Sequence, residues 1–208
     1  MNDSAKKIYP GLENFSVQIA RLHRYVNAHT GMSTEEFSQI INYCEIRQFD
    51  KKEIILQPGD QENYFNLILK GVVRKYMLAG KQEVTLQLSK EGHFIHAEIS
   101  FFERKPALCW LETLESTTCL SITRQKMDAL LVEVPITNRL GRLMAGELYA
   151  RKVMRDLIQM QRPARDRFLQ YIQKHPDMLL RVPQKYLASY LQIKPETFSR
   201  LKHLVKQP

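Results

Sequence analysis

The sequence predicts an α+β protein with a small β-roll, then one long helix, then a pair of short helices. Three observations predict this order. Between residues 45 and 122, short runs rich in β-branched, aliphatic and aromatic residues alternate with Gly, Pro, Asn and Asp, which is typical of a β-barrel or jelly roll. An unbroken helical pattern follows. The last quarter of the chain then holds two short amphipathic patterns separated by a tight turn.

The excess positive charge of the chain lies in its last part. The 208 residues have a net charge of +9, and residues 151–208 hold 13 of the 31 Lys and Arg but only 4 of the 22 Asp and Glu. Residues 1–150 are therefore neutral overall. A basic segment that coincides with two short helices is expected of a protein that binds nucleic acid phosphates with one end.

Composition and motifs argue against several other classes. Cys44, Cys109 and Cys119 have neither paired nor CxxC spacing, so we expect reduced thiols rather than disulfides or a zinc site. No apolar run approaches the ~18 residues of a membrane span, and the first residues lack the apolar core of a signal peptide. Walker loops, Ser–His–Asp sets and dinucleotide fingerprints do not occur. We therefore expect a cytoplasmic protein without enzymatic activity, metal, cofactor or membrane association.

Two helices are predicted before the strands. Residues 11–29 have apolar residues at helical spacing, and Ser33 with Glu36 forms a capping box that opens a second helix ending near Tyr43. The predicted strands are residues 45–49, 53–57, 64–69, 72–78, 84–88, 110–114 and 118–122. A further helix is predicted at residues 123–132.

The long helix is predicted from Pro135 to about Gln161. Its mostly apolar positions repeat at intervals of three or four residues, and a second stripe lies beside the first, so the helix has two faces to bury. The first stripe comprises Ile136, Leu140, Leu143, Glu147, Ala150, Met154 and Leu157. One face is expected to pack on the roll and the other on a second copy of the helix; an ordinary core helix is the alternative. Arg162-Pro163-Ala164 then breaks the pattern and is the predicted domain boundary.

The helix pair follows one more predicted helix at residues 165–175. Residues 183–191 and a helix that begins at Pro195 form the pair, with a turn at residues 192–194. The inward positions are Leu187, Ala188, Leu191, Phe198, Leu201 and Val205. The opposite arc of the second helix carries Glu196, Ser199, Arg200 and His203. Two such helices are a candidate helix-turn-helix unit.

Three segments resemble the Crp/Fnr family of bacterial transcription regulators. Residues 65–74 (FNLILKGVVR) are similar to its strand–Gly–strand signature. Residues 97–102 (AEISFF), followed by Pro106, resemble its phosphate-binding cassette, and residues 196–200 (ETFSR) match its recognition-helix pattern E-T-x-x-R. The resemblance covers about residues 40–205.

This resemblance implies a domain organisation and partners. A double-stranded β-helix of the cyclic-nucleotide-binding type is expected at residues 1–134, a dimerisation helix at 135–161 and a helix-turn-helix domain at 162–208. The implied partners are double-stranded DNA, a second copy of the chain, an unidentified small-molecule effector and RNA polymerase. Two other functions stay open: a sensor module whose DNA binding has decayed, and a ligand-independent dimeric scaffold.

The family pattern, carried over to this chain, places Glu196 and Arg200 at base edges in the major groove. A guanidinium can bind guanine bidentately, and a carboxylate can accept a hydrogen bond from cytosine N4. Phosphate or orienting contacts are expected from Gln184, Lys185, Lys194, Thr197, Ser199 and Lys202. The alternative for the first two residues is an i,i+4 ion pair on the surface.

The chain departs from the family in its helix pair. Pro195 stands where the family commonly has Arg, and Gln192 stands where a turn Gly is common, which costs up to about 1–2 kcal/mol if Gln192 is left-handed. After Val205 only three residues remain, so we expect no β-hairpin wing. Because wing contacts are mainly to the DNA backbone, their loss should weaken affinity more than base choice.

The expected effector pocket departs further. Nucleotide-binding members have Arg and then Ser or Thr after the cassette proline, where this chain has Ala107 and Leu108. A charge-assisted hydrogen bond contributes about 1.5–3 kcal/mol, and without that Arg the Glu98 carboxylate would face a phosphate uncompensated. We therefore expect that cyclic AMP is not the ligand. Glu98 is alternatively a structural carboxylate that accepts backbone N–H bonds. His93 and His96 are interpreted as surface or capping histidines rather than as haem ligands.

Overall fold

Eight strands form two four-stranded antiparallel sheets in the computed structural model, which describes residues 12–203. The strands are β1 Glu45–Phe49, β2 Ile54–Leu56, β3 Tyr64–Lys70, β4 Val73–Ala79, β5 Gln82–Ser89, β6 Phe94–Ile95, β7 Trp110–Thr113 and β8 Thr117–Thr123. One sheet has the order β1-β8-β3-β6 and the other β2-β7-β4-β5. Most strands that are adjacent in a sheet are distant in sequence, as in a double-stranded β-helix. This arrangement confirms the predicted fold class.

Helices precede, interrupt and follow the roll. A short 3-10 helix, Glu13–Phe15, leads into them. They are α1 Ser16–Thr30, α2 Thr34–Asn42, α3 Glu98–Glu103, α4 Arg124–Glu133, α5 Ile136–Gln161, α6 Ala164–Lys174, α7 Met178–Arg181, α8 Gln184–Tyr190 and α9 Pro195–Lys202. Within residues 12–203, none of these helices is long and apolar enough to cross a bilayer. The capping box before α2 is confirmed, since Ser33 Oγ accepts from the Glu36 N–H and the Glu36 carboxylate accepts from the Ser33 N–H.

Strand β3 is covered on both faces. Ile68 belongs to the apolar cluster inside the roll, whereas Leu67 and Leu69 pack against the N-terminal helices through residues such as Ile19 and Phe37. A strand that is covered on both sides reads as a nearly continuous apolar run rather than an alternating one. This explains the FNLIL sequence of the strand.

Gly71 turns the chain from β3 into β4 with φ +109°. A Cβ atom at this position would lie 2.7 Å from Thr117 Cα on β8. The turn therefore needs a residue that has a positive φ and no side chain.

The buried residues of the long helix α5, Thr137 and Leu140, lie near its beginning. Leu140 is buried in a cluster with α1 and β3, and Ile136 and Met144 pack against that cluster. Beyond this point α5 has many exposed residues. Arg155 holds its later part on the roll by donating to the Leu86 carbonyl at 2.6 Å.

The C-terminal helices pack on the outer face of the second sheet. Val72, Leu88 and Leu114 of the roll share one apolar cluster with α6, α8 and α9, in which Phe168 and Phe198 are fully buried. Helix α5 ends at Gln161, just before Pro163. Among the described residues, the helices after this break share one apolar core with the roll and do not form a separate one.

Candidate nucleic-acid interface and effector pocket

Helix α9 has one buried and one exposed face. Pro195 occupies its first turn, where a missing N–H leaves no hydrogen bond unmade. Phe198 and Leu201 are buried, and the Phe198 ring meets the Phe168 ring edge to face with centroids 5.1 Å apart. This packing fixes the rotation of α9 about its axis and therefore decides which residues face outward. Val205, a predicted inward residue, lies outside the described residues.

The residues that were predicted to contact DNA lie on α9, in the turn before it and at the start of α8. Gln184, Lys185, Lys194, Glu196, Ser199 and Arg200 are exposed, and Thr197 and Lys202 are half-buried. Among residues 12–203, no ion pair joins Glu196 to Arg200, so the surface ion pair that was the alternative is not observed. Both side chains are accessible to a partner.

The turn between α8 and α9 is left-handed at Gln192, with φ +54°. The Ile193 N–H donates to the Ala188 carbonyl at 2.9 Å, which closes the turn. The strain that was predicted for a non-glycine residue at this position is therefore present. The Gln192 side chain also donates to Gln159 Oε1 on α5 at 3.2 Å.

Arg167 on α6 contacts this turn, and the sequence analysis did not identify it. Its guanidinium donates to the carbonyls of Leu191 at 3.0 Å, Gln192 at 2.9 Å and Arg162 at 2.6 Å. One arginine therefore contacts both the helix-turn-helix turn and the segment that follows α5. Nothing in the local pattern of α6 distinguishes it from the exposed Arg165 on the same helix.

The cassette forms α3, whose first residue, Glu98, pairs with Lys75 on β4. Lys75 Nζ donates to both carboxylate oxygens, at 2.6 and 2.7 Å, and to the His96 carbonyl at 3.1 Å. Burial raises the pKa of Glu98, but the charge and hydrogen bonds of Lys75, together with the Glu98 backbone N–H and His96, outweigh burial and leave that pKa below its usual value. The expectation of an uncompensated Glu98 carboxylate is therefore wrong. The sequence did not indicate Lys75, which lies 23 residues away.

The two positions after the cassette proline differ in their environments. Ala107 is buried, and its N–H donates to the Asp60 carbonyl at 2.8 Å. Leu108 is 69% exposed. Arg104, a cation that precedes the cassette proline, is exposed and donates to the Glu62 carbonyl at 3.1 Å and to Asn63 Oδ1 at 2.9 Å. Ala107 and Leu108 therefore supply no cationic side chain for an anionic ligand.

His96 lies among phenylalanine rings, with its centroid 4.3 Å from that of Phe65 and 5.7 Å from that of Phe102. Burial lowers its pKa to about 4, so the ring is neutral near pH 7. His93 lies near His175 of the C-terminal helices, with centroids 6.5 Å apart. The interpretation of His96 as a surface or capping residue is therefore wrong, because its ring is buried.

An ionic junction joins the roll to the C-terminal helices. Arg181 on α7 pairs with Glu91 at 2.7 Å and with Asp177 at 3.1 Å, and it also pairs with Glu115. Lys90 pairs with Asp177 at 2.6 Å. Glu91 and Glu115 belong to the roll. They precede Arg181 by 90 and 66 residues in the sequence, so the junction connects distant parts of the chain.

A buried arginine, Arg74 on β4, also contributes to the contact between the roll and the C-terminal helices. The Arg74 guanidinium lies 3.8 Å from the Tyr76 ring centroid and 3.6 Å from that of Tyr186 on α8. It also pairs with Glu83 at 2.7 Å and Glu112 at 2.6 Å. Its charge is therefore neutralised where the helix pair meets the sheet.

Comparison with known proteins identifies the roll. Residues 46–133 match the family model for the cyclic nucleotide-binding domain. Comparison with curated protein sequences gives no match.

Solved structures match most of the chain. The catabolite activator protein of Thermus thermophilus is 25% identical, with 84% of each chain covered and a TM-score of 0.52. A CooA mutant from Carboxydothermus hydrogenoformans is 20% identical over 82% of this chain and 79% of that one, with a TM-score of 0.61. FixK2 from Bradyrhizobium japonicum is 19% identical over 77% and 83%, with a TM-score of 0.63. The similarity extends beyond the roll into the C-terminal helices.

Proposed function

We propose that this chain, whose residues 46–133 form a cyclic nucleotide-binding domain and whose fold is that of the Crp/Fnr transcription regulators, is a dimeric cytoplasmic regulator that binds double-stranded DNA through α9. One observation carries the proposal. Packing of Phe198 into the core leaves Glu196 and Arg200 exposed on a basic segment, and these residue types can hydrogen-bond to base edges.

The dimer is proposed to form along α5. Exposed apolar residues follow each other at intervals of three or four on this helix, and small residues stand between them. They are Leu143, Gly146, Ala150, Val153, Leu157 and Met160. In the part of the chain that the structure describes, no atom outside the helix's own backbone lies within 4 Å of a Cβ built on Gly146, so that part of the helix is open to a close neighbour. Paired α9 helices would then read half-sites about 34–36 Å apart.

The effector pocket is proposed to be unsuited to cyclic AMP. Ala107 and Leu108 provide no cation, and the Lys75 ammonium is already engaged by Glu98. This pairing favours a second interpretation, in which the roll holds its cassette with an internal ion pair and needs no effector. Calorimetric titration with cyclic AMP and cyclic GMP should give no binding heat, and micromolar binding of either nucleotide would contradict the proposal. Contact with RNA polymerase stays a prediction of the resemblance.

DNA binding is tested by enriching duplexes from a randomised library with the full-length protein. We expect a two-fold symmetric sequence to be enriched. Arg200→Ala should cost about 1–3 kcal/mol and relax the preference at one base pair of each half-site. Lys185→Ala should weaken all sequences alike and lower the salt slope by about 1. Lys51→Ala, which changes an exposed lysine of the roll, should change neither.

Two outcomes would contradict this function. The first is a protein that enriches no sequence and binds no duplex in a salt-dependent way, which would favour a sensor module without DNA binding. The second is an Arg200→Ala variant with unchanged base preference, which would remove α9 as the reading helix.

A further inference from the structure

Arg167 bridges two parts of the molecule, and within residues 12–203 its guanidinium hydrogen bonds all go to backbone oxygens. Its Nε donates to the Leu191 carbonyl at 3.0 Å and its Nη2 to the Gln192 carbonyl at 2.9 Å. Its Nη1 donates to the Arg162 carbonyl at 2.6 Å and, at the longer distance of 3.5 Å, to the Gln159 carbonyl. The first two acceptors belong to the turn between α8 and α9, and the last two to the end of α5 and the residue after it.

These carbonyls suit a guanidinium for a physical reason. The last carbonyls of a helix have no intrahelical donor, and the helix dipole makes that end negative. The ends of α5 and α8 therefore both attract a cation. Arginine satisfies both at once because its donors are held in a rigid planar fork, whereas lysine presents a single flexible ammonium.

Glutamine side chains support the same bridge. Gln192 Nε2 donates to Gln159 Oε1 at 3.2 Å, and Gln159 Nε2 donates to the Tyr190 carbonyl at 3.4 Å. The backbone carbonyl of the left-handed Gln192 thus accepts from Arg167 itself, and its side chain donates to Gln159, whose carbonyl also accepts from Arg167. The turn before α9 is connected to α5 through side chains as well as through the chain itself.

We infer that Arg167 is a positioning residue that sets the angle between α5 and α9. The inference rests on the proposed function, since a fixed angle matters when two copies of α9 must meet one duplex. Arg167 contacts no base in this role. Its loss leaves each α9 intact and lets the two reading helices vary in separation.

The test compares Arg167→Lys with Arg165→Lys, a variant of an exposed arginine on the same helix. Both variants keep the charge. Arg167→Lys should bind the duplex enriched by the wild type about tenfold more weakly, or about 1.4 kcal/mol, and should lose the preference of the wild type for that half-site spacing over one longer by a base pair. Affinity for unrelated duplexes and the salt slope should stay unchanged, because the phosphate-neutralising charge is retained. Arg165→Lys should match the wild type throughout.

Amide hydrogen exchange without DNA provides an independent readout. Residues 191–194 should exchange faster in Arg167→Lys while strand β3 keeps its wild-type rates, whereas general destabilisation would raise exchange across the chain. Unchanged spacing preference, unchanged exchange at the turn, or acceleration shared by β3 would each overturn the inference. If the wild type enriches no duplex, the proposed function fails, and exchange at the turn still decides whether Arg167 holds the turn.

Discussion

Lys75 Nζ lies 2.6 and 2.7 Å from the two carboxylate oxygens of Glu98, and the two side chains differ sharply in exposure, at 7% and 57%. The pair connects the inner face of β4 to the first residue of α3. An ammonium that originates inside the roll thus holds the cassette helix by its N-terminus.

Because only one partner is buried, removing either partner should have unequal effects. Glu98→Gln leaves a buried ammonium without its counter-charge and should cost about 1–2 kcal/mol, less than the 3–5 kcal/mol typical of a fully buried pair because water reaches the Glu98 side. Lys75→Met leaves a carboxylate that water can solvate and should cost less. Urea unfolding of the two variants measures the difference. Equal costs, or a larger cost for Lys75→Met, would contradict the asymmetry.

Acid should loosen the junction around Arg181. Burial raises the pKa of Glu91, but hydrogen bonds from Arg181 and from the backbone N–H groups of Gly71 and Glu91, together with the Arg181 charge, outweigh burial and lower that pKa overall. At Asp177, Lys90 and Arg181 together outweigh burial and lower the pKa in the same way. A carboxyl whose folded pKa is lowered stabilises the fold above its unfolded pKa of about 4, and this stabilisation is lost as the pH falls through the folded value. We expect the midpoint of urea unfolding to fall as the pH drops below about 4.

The same junction predicts the behaviour of Arg181→Gln. This variant should lose about 2 kcal/mol at pH 7, because the network is only partly exposed, and its midpoint should depend less on pH below 4 than that of the wild type. Lys105→Gln, which removes a pair with Glu103 on the surface, should keep the wild-type midpoint and pH dependence. A wild-type acid dependence in Arg181→Gln would exclude the junction as its source.

The exposed stripe of α5 predicts the oligomeric state. Leu157→Glu should raise the dimer dissociation constant at least about 100-fold, because two carboxylates would enter an apolar contact. Light scattering coupled to chromatography should then give the mass of a single 24.4 kDa chain. Leu180→Glu changes an equally apolar residue that is 90% exposed on α7, and its mass should match the wild type. A wild-type mass for Leu157→Glu would place the dimer contact elsewhere.

Alanine substitutions at Gly71 and Gly59 distinguish the cost of steric overlap from the cost of backbone strain. Both have a positive φ, at +109° and +94°, but only Gly71 has Thr117 in the path of a Cβ atom. Gly59→Ala should cost about 1–2 kcal/mol of strain. Gly71→Ala should cost more than about 3 kcal/mol, because the backbone of β8 would have to move. Urea midpoints measure both, and similar midpoints would show that the β3–β4 turn can adapt.

Local patterns were sufficient for much of the fold. The FNLIL run predicted β3, Ser33 and Glu36 predicted the start of α2, and Pro195 predicted the start of α9, because each signal is contained within a few neighbouring residues. The two-residue strand β6 is too short to show a period. Helix α7, a single turn, was missed for the same reason.

The contacts of the candidate sites were harder to predict, because several of them join residues that are distant in the sequence. The exposure of Glu196 and Arg200 follows from helical spacing around Phe198, so the sequence could predict it. Lys75 could not be assigned to Glu98, because nothing in a strand pattern tells which distant carboxylate meets an inward lysine. Arg167 was missed because its acceptors are backbone carbonyls, which have no sequence signature.

The apolar cluster shared by the roll and the C-terminal helices decides in which direction temperature shifts the contact between them. Val72 and Leu88 are covered by the same side chains that support α9. Any rotation that lifts the helix pair off the sheet therefore hydrates them, and hydration of apolar surface raises heat capacity. A transition between a lifted and a seated arrangement would consequently shift with temperature, and cooling from ambient conditions would favour the lifted one.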